Sequence, residues 1–189
     1  MKPQTKILLQ GLSIGLGLVA VVSFGFFLYR KKSDKNLLSI IIGDSQTPFI
    51  AKQSAKASIL GTQGEQNLWK GGMGLSWLKN AVDKYPLRKD IGSVVINIGT
   101  NGGFSQKDDI AGLVSSLKEK FPNAKLFSVQ GSWGWGGNKN ITNEAVKSYY
   151  DKFKSQGVKI VNPPIGVVSD PHSDLPIYKE IGKSIDSLV

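Results

Sequence analysis

The chain has 189 residues, 40% of them hydrophobic, which is enough to bury the core of one domain of ordinary size. It contains no cysteine, so a disulfide framework, a thiol nucleophile and any thiolate-ligated zinc or iron–sulfur centre are excluded. A formal net charge of +10 favours polyanionic neighbours, from nucleic acid to lipid headgroups and acidic wall polymers, without selecting among them.

The first element in chain order is the run from Ile7 to Tyr29, which carries no charged residue. As a helix it is long enough to cross a bilayer, which takes ~20 residues. The expectation is therefore an uncleaved single-pass membrane anchor over residues 1–29. A cleaved signal peptide is the competing reading, because Lys2 and Lys6 resemble an n-region. Arg30, Lys31, Lys32 and Lys35 make residues 30–36 a basic juxtamembrane linker suited to anionic headgroups. They outnumber the lysines before the run, which leans toward a cytoplasmic C-terminal domain, a leaning opposed by Asp34.

Residues 37–189 read as one domain in which short apolar runs alternate with longer amphipathic stretches. Strands are expected at Leu37–Ile42, Val94–Ile98, Leu126–Gln130 and Val158–Val161, each apolar on consecutive positions and therefore suited to burial on both faces. Asn67–Lys70 is a further, shorter candidate. Helices are expected near 48–58, 75–84, 106–120, 142–155 and 175–188, with Ser105, Thr142 and Ser173 as N-caps. The predicted architecture is a three-layer α/β/α domain with a mostly parallel, flavodoxin-like sheet, in which sites gather at the carboxyl ends of the strands.

Three of those ends carry chemistry-bearing residues. Gly43-Asp44-Ser45-Gln46-Thr47 follows the first strand and presents the Ser45 hydroxyl, although Asp44 or Ser45 also suits the cap of the next helix. Gly99-Thr100-Asn101-Gly102 follows the second clear strand and offers the Asn101 amide, unless Asn101 is only a turn residue. Between them, Gly71-Gly72-Met73-Gly74 lets backbone N–H groups approach a substrate oxygen closely. The single histidine, His172, stands in Ser169-Asp170-Pro171-His172 after the last strand. A hydroxyl, an imidazole, a nearby carboxylate and two kinds of oxyanion donor on one sheet edge form the inventory for acyl transfer.

In order and spacing these segments resemble the SGNH hydrolases, the GDSL-like esterases named for their Ser, Gly, Asn and His, over about residues 37–189. The resemblance implies Ser45 as nucleophile, Gly74 (or Gly72) as backbone oxyanion donor, Asn101 as side-chain oxyanion donor, His172 as general base and Asp170 as its carboxylate partner. The Ser45 N–H completes the oxyanion set, and neither metal nor other cofactor is required. One departure stands out: the family places its aspartate three residues before the histidine, where this chain has Ser169. Asp170, two residues before, fills the role through a tighter loop, or Asp174 or a backbone carbonyl substitutes.

Gly131-Ser132-Trp133-Gly134-Trp135-Gly136-Gly137-Asn138 overhangs the same edge. Trp133 and Trp135 either form a platform for a sugar ring or acyl chain, or fold back onto the sheet. The function expected is a serine ester hydrolase working through an acyl-enzyme, with O-acetyl groups of a cell-wall or surface polysaccharide as favoured substrate and a lipid-like ester as the alternative. A different class of reading keeps the fold as a binding or virion-type structural module whose chemistry has decayed. The expected partners are the ester, an acetylated glycan and the membrane. No specific nucleic acid is expected, because the lysines are dispersed and match no binding motif.

Overall fold

The computed structural model describes residues 37–131, 141–161, 172 and 175–189. All the elements below fall within one compact unit, Leu38–Val189. The strands are β1 (Leu38–Gly43), β2 (Ala57–Ser58), β3 (Ile91–Asn97), β4 (Lys125–Val129) and β5 (Lys159–Val161). The helices are α1 (Thr47–Ala51), α2 (Leu75–Lys84), α3 (Ile110–Lys120), α4 (Asn143–Ser155) and α5 (Leu175–Leu188), with a 3-10 turn at Glu65–Asn67.

The five strands form one parallel sheet in the order β2-β1-β3-β4-β5, the flavodoxin-like arrangement. Its central strands read as unbroken apolar runs because each face meets a helical layer. On one face Ile40, Ile42, Val94, Ile96 and Leu126 pack with Leu78 and Val82 of α2, Leu113 and Leu117 of α3, and Tyr149, Tyr150 and Phe153 of α4. On the other, Ile41, Val95, Phe127, Val129 and Val161 pack with Ile50 of α1 and Tyr178, Ile181 and Ile185 of α5. The strict alternation of neighbours such as Ile40, Ile41 and Ile42 between two cores is the period of a strand made visible, and the three-layer α/β/α expectation holds.

Register brings the site together. Ile42 pairs with Ile96 and Gly43 with Asn97, so β1 and β3 end side by side and the turns after them open onto one crevice. A Cβ on Gly43 would lie 1.8 Å from the Asn97 carbonyl oxygen, and its φ of +140° is a glycine conformation. That close approach lets the Asp44 N–H donate to the Asn97 carbonyl at 3.1 Å.

The predicted α2 and α5 spans coincide with the observed ones, and Thr142 caps α4 by accepting from the Ala145 N–H. Three expectations are corrected. The helix expected over 48–58 stops at Ala51, because the Asp186 carboxylate of α5 accepts from the Ala55 and Lys56 N–H groups and the Ser54 hydroxyl, turning the chain into β2. The helix expected from 106 begins at Ile110, since Asp109 and not Ser105 accepts from the Gly112 N–H. Asn67–Lys70 is no regular strand: Trp69 makes isolated bridges to Gly43 and Gly64 after a left-handed Leu68. Ser173 lies outside the described residues.

The expected single-pass membrane localisation is also corrected. Among the described residues no helix is long and apolar enough to cross a membrane. The longest of them, α5, has 14 residues, about 21 Å of helix against a hydrocarbon core of about 30 Å. The apolar run Ile7–Tyr29 and the basic segment 30–36 lie outside the described residues.

Candidate active site

Ser45 sits in the turn that joins β1 to α1, and its Oγ lies 2.8 Å from His172 Nε2, across 127 positions of sequence. With the proton on Nδ1, Nε2 accepts the serine hydroxyl. The imidazole meets Phe49 of α1 edge-on at 5.6 Å between ring centroids, and Phe49 stacks on Tyr178 of α5 at 5.5 Å. A three-ring ladder thus holds the histidine against the helix that begins at the Ser45 turn. Asp170 and Asp174 lie outside the described residues, as do Trp133 and Trp135.

Beneath the serine, Asp44 is 1% exposed and organises the turn. Its Oδ1 accepts from the Gln46 N–H at 3.0 Å and from Asn97 Nδ2 at 2.9 Å, and its Oδ2 accepts from Asn101 Nδ2 at 3.4 Å. Burial pushes the Asp44 carboxyl up to about 7, against the opposing pulls of the Gln46 N–H and of charge on His172. The contact to Gln46 is the local turn bond open to this residue type. The contacts to Asn97 and Asn101 tie the end of β1 to β3 and to the loop beyond it.

The Asn101 amide also donates to the Met73 carbonyl at 3.2 Å, which joins the glycine segment 71–74 to the Gly99–Gly102 turn. Both contacts of this amide are long, so its protons stay open to another acceptor. Gly74 immediately precedes α2, and a Cβ added there would lie 4.0 Å from the Gly102 nitrogen. Among the described residues the N–H groups of Ser45 and Gly74 have no hydrogen-bond acceptor. Gly72 is exposed with φ +73° and has open space where a side chain would stand. Gly71 does approach the serine: a Cβ added there would lie 3.7 Å from that of Ser45.

Further back, Tyr150 donates to the Ile98 carbonyl at 3.1 Å and accepts from the Gly131 N–H at 3.0 Å, fastening the exits of β3 and β4 together. Sequence reasoning did not single out Asn97, Phe49 or Tyr150, and it named Gly71 only as part of the glycine segment 71–74. Of these only Asn97 carried a signal, as the lone polar residue in Val94–Ile98.

No family model matches the chain, and no curated protein does. Solved structures do. A Streptococcus pneumonia structure named for platelet activating factor superposes with a TM-score of 0.57 at 12% identity, over 93% of this chain and 98% of that one. A member of the lipolytic protein G-D-S-L family from Veillonella parvula gives 0.55 at 10% identity, over 80% and 97%. A carbohydrate esterase family 2 enzyme with a carbohydrate binding domain, from Corynascus thermopiles, gives 0.52 at 16% identity, over 80% and 65%. The chain has the SGNH-like hydrolase fold that these structures share.

Proposed function

We propose that the protein is a serine ester hydrolase that works through an acyl-enzyme on Ser45. The observation that carries this reading is the 2.8 Å approach of Ser45 Oγ to His172 Nε2 at the carboxyl edge of the sheet. In acylation the serine proton passes to His172 Nε2 while Oγ bonds to the ester carbonyl carbon. The oxygen of that carbonyl gains the charge, stabilised by the N–H groups of Ser45 and Gly74 and by the Asn101 amide. The carbon–oxygen bond to the alcohol then breaks, and His172 returns the proton to the departing alcohol. Water repeats the sequence on the acyl-enzyme, with His172 as base, and releases the acid. Asp170, by resemblance, orients the imidazole.

The alcohol portion is read as carbohydrate, a reading supported by the Corynascus carbohydrate esterase among the similar folds. A module with decayed chemistry is disfavoured by the geometry, since nothing in a binding role requires a serine hydroxyl and an imidazole nitrogen at hydrogen-bond distance.

The test is hydrolysis of p-nitrophenyl esters from acetate to octanoate by the full chain and its Ser45→Ala variant, matched by circular dichroism. The expected outcome is turnover that falls about 10⁴-fold or more in the variant. A folded wild type inert toward every ester would reject the enzyme reading in favour of the binding module.

A further inference from the structure

An open groove of about 660 Å³ begins at Ser45 and runs toward the β2 edge of the sheet. Its lining is Ser45, Pro48, Phe49, Ile59, Gly61, Thr62, Gln63, Trp69 and Gly71, of which Phe49, Ile59 and Trp69 supply the large apolar surfaces. Among the described residues, Thr62 and Gln63 are its only polar side chains besides the serine and the Trp69 indole. The walls are fastened before any ligand arrives. Trp69 Nε1 donates to the Gly61 carbonyl at 3.0 Å, Asn67 Nδ2 donates to that of Thr62 at 2.5 Å, and the Gly64 N–H donates to that of Trp69 at 2.9 Å. The indole has thereby used its one polar atom and turns only carbon toward the groove.

Resting on the serine-esterase reading above, we propose that this groove holds the acyl portion of the ester, and that the portion is an aliphatic chain longer than acetyl. Direction argues for the acyl side. Of the three groups around the reacting carbon besides Ser45 Oγ, the oxyanion turns to Asn101 and Gly74 and the leaving oxygen turns to His172, which must protonate it. The groove is lined by Ser45 but by neither Asn101 nor His172, so it takes the third direction, along which the acyl chain leaves the carbonyl carbon. Chemistry argues for a hydrocarbon. A sugar ring would bury hydroxyls against walls that offer it little beyond Thr62 and Gln63, and unpartnered hydroxyls are costly to desolvate. An acetyl group would leave Phe49, Ile59 and Trp69 wet. The favoured acyl group therefore moves from acetyl to a longer chain, while the alcohol portion is unaffected.

Two ester series separate the possibilities. With p-nitrophenyl esters of straight-chain acids, kept below micelle formation, kcat/KM should rise about two- to fourfold per added methylene until the groove is filled. With alkyl acetates of growing alcohol length it should stay nearly flat. Thr62→Trp, on the exposed rim, should lower the octanoate-to-acetate ratio at least tenfold, because the indole occupies the space of the chain. Octanoate binding to the full-length Ser45→Ala variant, followed by calorimetry, should be detectable where acetate binding is not, and Thr62→Trp added to that variant should abolish it.

Ser45-dependent turnover with a flat acyl series, or one that rises only with alcohol length, overturns the groove assignment and leaves the esterase reading standing. Octanoate binding that Thr62→Trp removes, in a chain that hydrolyses no ester, rejects the enzyme reading and retains the groove as an aliphatic site. Neither binding nor turnover overturns both.

Discussion

The crevice has two halves built on different physics. Around Ser45, atoms are fixed by directional bonds: Asp44 receives Gln46, Asn97 and Asn101, the Gly43 N–H donates to the Leu68 carbonyl, and the Asp44 N–H to that of Asn97. Toward β2, the groove offers area, with Phe49, Ile59 and Trp69 lining it over a span of about twenty residues. Bonds of the first kind have one geometry, and losing a partner leaves a buried group unpaired. Surfaces of the second kind tolerate shape changes in proportion to the area involved. Substitutions should therefore act all-or-none in the first half and by degrees in the second.

The largest effect is expected at Gly43. A methyl group there would stand 1.8 Å from the Asn97 carbonyl, against backbone that cannot move without breaking the β1–β3 register. Gly43→Ala should cost more than about 4 kcal/mol, read as lost soluble yield or a collapsed thermal midpoint. A variant that melts like the wild type would mean that the two strand ends do not meet this closely. Next comes Asn101→Ala, which should lower kcat about 10²–10³-fold for every acyl length while KM changes little, because in the proposed mechanism the amide acts on charge that forms only in the transition state. A loss confined to KM would remove Asn101 from the oxyanion site.

A smaller effect is expected at Asp44. Its carboxyl is pushed up to about 7 in the folded chain against 3.8 as its ordinary value, so between about pH 4 and 7 the folded state binds a proton that the unfolded state does not. Stability from this group is present below about pH 4 and falls as pH rises to about 7, beyond which the contribution is constant. Asp44→Asn keeps an acceptor for Gln46 and Asn97 but turns an NH₂ toward the Asn101 amide. It should flatten the decline in stability across this window by about 2 kcal/mol. Urea melts at about pH 5 and pH 8, either side of the folded-state value, measure it, and an unchanged slope would show that Asp44 stays ionised throughout.

The directional half was more legible in the sequence than the groove. Gly43-Asp44-Ser45 follows an apolar run, and Gly99-Thr100-Asn101 another, so two turns at the sheet edge were visible from local composition alone. The helices at 75–84 and 175–188 were visible from their periodicity. The pairing of His172 with Ser45 spans 127 positions and had no local signal; it was suggested by the place of His172 after the last strand of a parallel sheet and by the family pattern. Where a long-range side chain decides, reading failed. Asp186 ends α1 early, and nothing between 48 and 58 announces a carboxylate from the last helix. The groove was illegible for the same reason: Phe49, Ile59 and Trp69 stand ten positions apart in three separate segments, with no local pattern to join them. Substrate inference therefore fell on Trp133 and Trp135, which are conspicuous in sequence.

The smallest expected effect is the sharpest check on the division into two halves. Ile59 is half-buried and lines the groove away from the strand ends. Ile59→Ala removes about three carbons of wall and should lower kcat/KM for octanoate about two- to fivefold, mostly through KM, with a smaller effect on acetate, whose acyl group does not reach it. Combined with Asn101→Ala, its effect on octanoate should add in free energy, because in the proposed mechanism one side chain contributes uniform binding along the acyl chain and the other acts on developing charge. A coupling greater than about 0.5 kcal/mol in that double-mutant cycle would mean that groove occupancy sets the geometry at the oxyanion. The chain in the groove would then position the carbonyl, and area and direction would form one device.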